Sequence, residues 1–137
     1  MIEFVPYQRC GELHFGMSQD QVVTLLGPPQ SSRRNWLGAT EMFYPLYNVG
    51  LGYENSVVEI TIHPGTCVLL DGVDIMSLPS GREHLLRTSK DKYLGAGSIV
   101  LLDLGIAISD DERARVDQSI TVFAKGWEQI EGYKKLP

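Results

Sequence analysis

Three histidines, two cysteines and one cluster of acids are the groups from which this chain could assemble chemistry. His14, His63 and His84 stand 49 and 21 residues apart, without the short paired spacing by which zinc sites are recognised, and each reads as a surface or half-buried imidazole. Cys10 or Cys67 could act as a nucleophile beside a histidine, but neither lies in a recognisable local signature, so ordinary burial is expected of both. The run Asp110-Asp111-Glu112 could take a divalent cation; it lacks the regular spacing of an EF-hand loop and reads as a solvated loop. Gly95-Ala96-Gly97 hints at a phosphate turn. A dinucleotide fingerprint follows a strand and opens a helix, whereas this one precedes the apolar run Ile99 to Leu102 and reads as a plain turn. These residues predict neither a catalytic centre nor a metal or cofactor site.

At 137 residues, 43% of them hydrophobic, the chain is one domain's worth of material with enough apolar residues for a single core. A net charge of −5 and a pI near 5.1 argue against a nucleic-acid binder, whose affinity for phosphate comes from clustered Lys and Arg. The pair Arg33-Arg34 is too little to reverse that. An acidic surface suits a basic partner, which it steers electrostatically. Met1 to Gly16 has no basic start followed by an apolar core of signal-peptide length, and no later run approaches a membrane span. The expectation is a cytoplasmic protein that does not bind membranes, with both thiols reduced.

The elements that would position these groups are announced most clearly at Gly16 to Pro29. Ser18 and Gln21 are spaced as a capping box, Val22, Leu25 and Leu26 form one apolar stripe, and Gly27 with Pro28-Pro29 ends the helix. Before it, Ile2 to Gln8 alternates loosely as a strand or extended lead-in. After it come a polar loop from Gln30 to Thr40, carrying Arg33, Arg34 and Trp36, and an edge or bulged strand over Met42 to Tyr47, broken by Pro45. Val49 to Tyr53, then Val58, Ile60 and Ile62, alternate as two half-buried strands joined by a turn at Glu54-Asn55-Ser56.

The second half repeats this plan. Ser80 and Glu83 are spaced as a second capping box, each 62 residues after its counterpart, with a helix expected through Leu85-Leu86. Val58, Ile60 and Ile62 reappear as Ile120, Val122 and Ala124 at the same offset, and Asn48 to Gly52 as Asp103 to Ala107 at an offset of 55. The charged loop Ser109 to Arg115 takes up the difference, where the first unit has a tight turn. One domain spanning 1–137, built from two repeats at about 1–66 and 67–137, is the result, with Trp127 to Pro137 as a short amphipathic or frayed tail.

On Gly16-Met17-Ser18, Val22, Leu25-Leu26-Gly27-Pro28-Pro29, Phe43-Tyr44, Leu51-Gly52-Tyr53 and Val57-Val58-Glu59-Ile60, the chain resembles the BamE/SmpA-type module. That layout occurs in tandem in proteins similar to the β-lactamase inhibitor protein. The resemblance implies an α+β fold: two helix-then-antiparallel-strand repeats forming one curved antiparallel sheet, with helices on one face and the concave face free to bind a protein. The lipid-bearing cysteine of outer-membrane members and the signal peptide of secreted inhibitors are not expected here, so shape and a habit of binding proteins are what carry over.

With Val49, Leu51, Val58, Ile60 and Ile62 toward the helices, strand parity sends Asn48, Gly50, Gly52, Glu54, Val57, Glu59, Thr61 and His63 to the open face. In the second unit it sends Asp103, Gly105, Ala107, Ser109, Thr121, Phe123 and Lys125 there. Gly50, Gly52, Gly105 and Ala107 would leave a low floor for a partner's close approach. The residues expected to bind that partner are Tyr47, Glu54, Glu59, His63, Asp103, Asp110, Asp111, Glu112 and Phe123. The predicted function is that of a cytoplasmic inhibitor or immunity protein, not an enzyme, which neutralises a basic toxin or effector by occluding its active site. Two other readings are a small-molecule-binding or enzymatic domain anchored by His63, Glu59 or Asp103, and a structural adaptor of an envelope or secretion assembly.

Overall fold

The computed structural model of the chain describes residues 1–34, 39–111, 118–127 and 130–137. Three short strands come first, β1 (Ile2–Val5), β2 (Arg9–Cys10) and β3 (Leu13–His14), and lead into helix α1 (Gln19–Leu26). The chain then runs through β4 (Ser31–Arg34), β5 (Thr40–Phe43), β6 (Tyr47–Leu51) and β7 (Val57–Ile62) as one antiparallel meander. The hairpin β8 (Val68–Leu70) and β9 (Val73–Asp74) precedes helix α2 (Ser80–Thr88). A second meander follows, β10 (Lys92–Gly95), β11 (Ser98–Leu101), β12 (Ile106–Ser109) and β13 (Ile120–Phe123), and β14 (Lys134–Lys135) closes the chain.

These strands make two sheets. The larger has nine strands in the order β14-β10-β11-β12-β13-β7-β6-β5-β4, so the two meanders meet where β13 pairs antiparallel with β7. The smaller has the order β3-β2-β1-β8-β9, with β1 parallel to β8. The expected α+β architecture, with helices on one face of a single curved sheet, is therefore not the one that forms. Among the described residues the chain is mostly β, with two helices of 8 and 9 residues and a second sheet that the resemblance does not contain. The physical reason is where the apolar residues of the short strands go. Phe4, Cys10, Leu13, Val68 and Leu70 join the same buried cluster as Met42, Val49, Ile60, Leu101, Ile106 and Val122 of the large sheet. Only Val22 of α1 and Leu85 of α2 enter it as fully buried helix residues, so the small sheet shares with the helices the work of covering the core.

Helix α1 starts as its sequence predicts. Ser18 Oγ accepts the Gln21 N–H at 3.2 Å, and Gln21 Oε1 accepts the Ser18 N–H at 2.9 Å, so two otherwise unpaired donors are satisfied. Its stripe is narrower than expected, because Leu25 stays 37% exposed. Helix α2 does not form the second capping box. Pro79 occupies the cap position without a side-chain bond, and Ser80 is already helical, its hydroxyl 3.1 Å from that of Ser77. Gly81 lets this helix lie against β9, since a Cβ there would sit 2.5 Å from the Asp74 carbonyl oxygen.

The centre of the large sheet sets the register of both halves. Ile60 faces Val122 and Ile62 faces Ile120 across the β7–β13 ladder. Val49 faces Ile60 and Ile106 faces Val122, so Ile106 stands where Val49 does, two residues from the match that sequence spacing suggests. A register shift between Gly50 and Leu51 places Leu51 opposite Val57. That bulge turns Val57 into the core at 1% exposure and sends Val58 outward, reversing the expected parity of both.

Candidate functional site

The face of the large sheet turned away from the core carries two transverse rows of side chains. One runs Arg33, Glu41, Gly50, Glu59 and Phe123 across β4, β5, β6, β7 and β13. The next includes Asn48, Thr61, Thr121, Ala107, Val100 and Tyr93, each opposite its neighbour. In the middle of that row the hydroxyls of Thr61 and Thr121 are 3.1 Å apart.

The segment after β13 returns over this face. Ala124 N–H bonds to the Val58 carbonyl, and β14 pairs with β10 to form the edge of the sheet. Between these two ties the chain sets two aromatic rings on the sheet. Trp127 lies over Gly52, where a Cβ would come within 3.4 Å of its ring, and Tyr133 covers Gly95, where a Cβ would come within 2.4 Å. A hollow of about 350 Å³ results, lined by Glu59, Ser98, Val100, Ala107, Thr121, Phe123, Trp127 and Tyr133. A second, of about 220 Å³, lies on the far side of Trp127 among Arg33, Thr40, Glu41, Gly50, Val58 and Glu59. Glu59 and Trp127 are thus the wall between the two.

Glu59 is the unusual group. It is half-buried, its side chain crosses Gly50, and its Oε2 accepts a hydrogen bond from Trp127 Nε1–H at 3.2 Å. Burial raises its carboxyl above the usual value; the indole bond opposes this and the charge of Glu41 adds to it. Among the described residues no Lys or Arg forms an ion pair with Glu59, whereas Glu41 is paired with Arg33 at 3.0 Å. The hollow therefore holds a carboxylate with no ion-pair partner among the described residues, beside the rings of Phe123, Trp127 and Tyr133, which suits it to a cation.

The other residues expected at the site are dispersed. Phe123 lines the larger hollow but is buried, its ring in a T-shaped contact with that of Tyr7 at 6.1 Å between centroids. Tyr47 is on the core side, edge-on to Tyr44 at 6.4 Å, and its hydroxyl is pushed to higher pKa by burial first. Its parity with Val49 and Leu51 places it there. Glu54 is exposed in the turn before β7. His63 is a structural tie, with Nδ1 3.0 Å from the Pro45 carbonyl and Nε2 2.8 Å from Asn48 Oδ1. Asp103 lies in the turn before β12, too early for strand parity to apply, and accepts from Ser89 Oγ at 2.5 Å and Lys90 N–H at 2.8 Å. Asp110 and Asp111 are exposed just after Ser109, which pairs with Ser98 of the larger hollow. Glu112, and the loop through Arg115 that was expected to carry it, lie outside the described residues, as does Trp36.

The glycine floor also differs from expectation. Gly50 is covered by Glu59, Gly52 by Val58 and Trp127, and Gly105 by Tyr7, each within 3.4 Å of where a Cβ would stand. These positions are seats for the chain's own side chains; Ala107 remains as floor. Trp127 and Tyr133, which build the hollow, fall in the segment read as a frayed tail. Their signal in the sequence was the glycine beneath each ring, Gly52 just past β6 and Gly95 at the end of β10.

Among the described residues no group of three His, Cys, Asp or Glu could hold a metal ion, and no helix is long and apolar enough to cross a membrane. The thiol of Cys10 is buried and pushed up to about 12 by that burial, which leaves it protonated and a poor nucleophile. No protein-family model, curated protein or solved structure matches the chain.

Proposed function

We propose that the protein is a cytoplasmic inhibitor or immunity protein that uses the outer face of its nine-stranded sheet to hold a basic toxin or effector and cover its active site. The observation that carries this reading is Glu59, a half-buried carboxylate with no cationic partner among the described residues, standing between two hollows on an accessible sheet face. The net charge of −5 supports it, because an acidic surface speeds the approach of a basic protein and disfavours acidic ones. Asp110 and Asp111 extend the acidic surface beyond the Ser98 end of the larger hollow. Of the three anchors of the alternative small-molecule-binding or enzymatic reading, His63 is tied to β6 and Asp103 to the end of α2, which leaves Glu59 as the one at the hollow.

The immobilised chain should retain a basic protein from extracts of its source cells, and the retained protein's activity should fall when the chain is added in equal amount. Retention should disappear in about 1 M salt, where charges are screened within a few ångströms. Reversing Asp110, Asp111 and Glu112 to Lys should slow association and flatten its salt dependence. Retention of neutral or acidic proteins only, or of a basic protein whose activity is untouched, rejects the inhibitor reading.

A further inference from the structure

The larger hollow has a chemistry narrower than that of an acidic surface. Its walls are the rings of Phe123, Trp127 and Tyr133, its floor is Ala107 and Thr121, and Glu59 is the one acid among the described residues that line it. Glu41 faces Glu59 across Gly50 from β5 and adds like charge, while Arg33 on β4 is engaged with Glu41. From beyond β13, Trp127 offers Glu59 a neutral N–H donor. A carboxylate so placed is relieved in two ways, by taking up a proton or by receiving a cation. The three aromatic side chains that line the same hollow suit the second, since a cation entering it can stack on a ring.

We propose that this hollow receives the guanidinium of an arginine side chain projecting from the basic protein partner. The proposal rests on the function inferred above for the source of the arginine, and it names the group inserted. Arginine fits better than lysine because its planar guanidinium is weakly hydrated, stacks on aromatic rings and meets a carboxylate with two parallel N–H donors. The remaining N–H groups need acceptors, and the hydroxyls of Ser98 and Thr121 line the same space. A volume of about 350 Å³ accommodates one long side chain and no folded segment. The occupant is then a single anchor in the middle of a larger interface.

The test uses the whole chain and three small probes: Nα-acetylarginine amide, its lysine counterpart, and its citrulline counterpart, in which a neutral urea replaces the guanidinium. The readout is the indole N–H resonance of Trp127, told apart from that of Trp36 by a Trp36→Phe variant. The arginine probe should shift the Trp127 signal saturably with a Kd of about 1 mM. Citrulline should bind about ten-fold more weakly or worse, and Glu59→Gln should weaken arginine binding by about the same factor, as expected for loss of a charged hydrogen bond. Far-UV circular dichroism checks that Glu59→Gln remains folded; should it not, Thr121→Val, which keeps the shape and removes a hydroxyl acceptor, is to weaken arginine binding instead.

Equal binding of citrulline and arginine, tighter binding of the lysine probe, or arginine binding unchanged in a folded Glu59→Gln overturns the proposal. Tighter binding of free L-arginine than of the blocked probe would point to a metabolite and overturn the side-chain source. If the arginine probe fails while the chain still captures and inhibits a basic protein, the guanidinium assignment falls and the functional reading stands. If the probe binds and no basic protein is captured, the functional reading falls and the hollow keeps its ligand class.

Discussion

The two halves of the outer sheet face are built on the same strand order and finished differently. On β4 to β7 the face is open and polar, its central row running from an exposed Arg33–Glu41 pair over Gly50 to Glu59. On β10 to β13 the chain's own C-terminal segment returns across the strands, so that Val100 and Phe123 are buried although neither belongs to the main core cluster. A sheet face with charges alone is a weak binding surface, because exposed ion pairs contribute little. Rings laid on a neighbouring half supply apolar walls, and the hollow forms where the two kinds of surface meet, at Glu59 and Trp127. The difference between the halves, more than either half alone, makes the site.

The contrast supposes that both halves are one folded unit, and the substitution that would break this most severely is at their junction. Ile60 is 0% exposed and faces Val122. Ile60→Ala should cost about 2–5 kcal/mol, the range for deleting a large buried aliphatic side chain. Urea unfolding followed by circular dichroism and by Trp127 fluorescence in a Trp36→Phe background should show one shared transition. Two separated transitions would mean that the halves fold independently.

A smaller effect separates the two kinds of finish. In Gly95→Ala the new methyl group would fall 2.4 Å from the Tyr133 ring, and in Gly50→Ala 2.5 Å from Cγ of Glu59. A ring held between the Ile130 turn and β14 has little freedom to retreat, so Gly95→Ala should cost about 1–3 kcal/mol as overpacking. Glu59 can rotate its chain away, so Gly50→Ala should cost less while disturbing the Trp127 indole signal more. The reverse ranking, read by urea unfolding, would show that the returning segment is loosely held.

How much of this was legible follows from the range of the interactions involved. The Ser18–Gln21 box, Val22 and the Gly27 stop are local, and they stand in the structure where spacing puts them. So do the centres of β6, β7 and β13, whose residues alternate over several positions, whereas β12 begins at Ile106, two residues later than the repeat spacing suggests. Strands β1, β2, β3, β8 and β9 are two to four residues long, too short for periodicity to mark, and β1 acquires its parallel partner only from a segment more than sixty residues away. Of these only β1 lies within an expected strand, the lead-in over Ile2 to Gln8, and without the second sheet a mostly β chain reads as α+β. The parity of Val57 and Val58 was lost to one bulge, which leaves no mark in residue types beyond the glycine beside it. Of the site, Glu59 and Phe123 were found by parity. Trp127 and Tyr133 were not, because a segment crossing a sheet face has no period of its own.

The next effect down is electrostatic. Burial holds the Glu59 carboxyl above its ordinary 4.5, so over some range the folded chain keeps a proton that the unfolded chain has released. The stability associated with that proton is complete below the unfolded value and is lost as pH rises through the folded one. Unfolding free energies of wild type and Glu59→Gln, measured from about pH 4 to 7, should therefore differ by an amount that moves against the wild type as pH increases. A difference independent of pH would mean that Glu59 is as well solvated folded as unfolded.

The smallest expected effect lies on the open half. Arg33 is 70% exposed, pairs with Glu41 at 3.0 Å and lies 5.4 Å from the Phe43 ring centre. Arg33→Ala should change stability by less than about 0.5 kcal/mol, because water already screens the pair. Its electrical consequence is nevertheless directed. Glu41 would lose its only cation among the described residues and face Glu59 across Gly50, so the Glu59 carboxyl should move further upward. Glu41→Gln removes the repelling charge and should move it downward, toward what burial and the Trp127 bond leave. Titrating the Glu59 carboxyl carbon by NMR in both variants compares these directions. Shifts of the same sign, or none, would mean that the two carboxylates do not sense each other, and the boundary between the halves would then lie on the β4 to β7 side of Glu59.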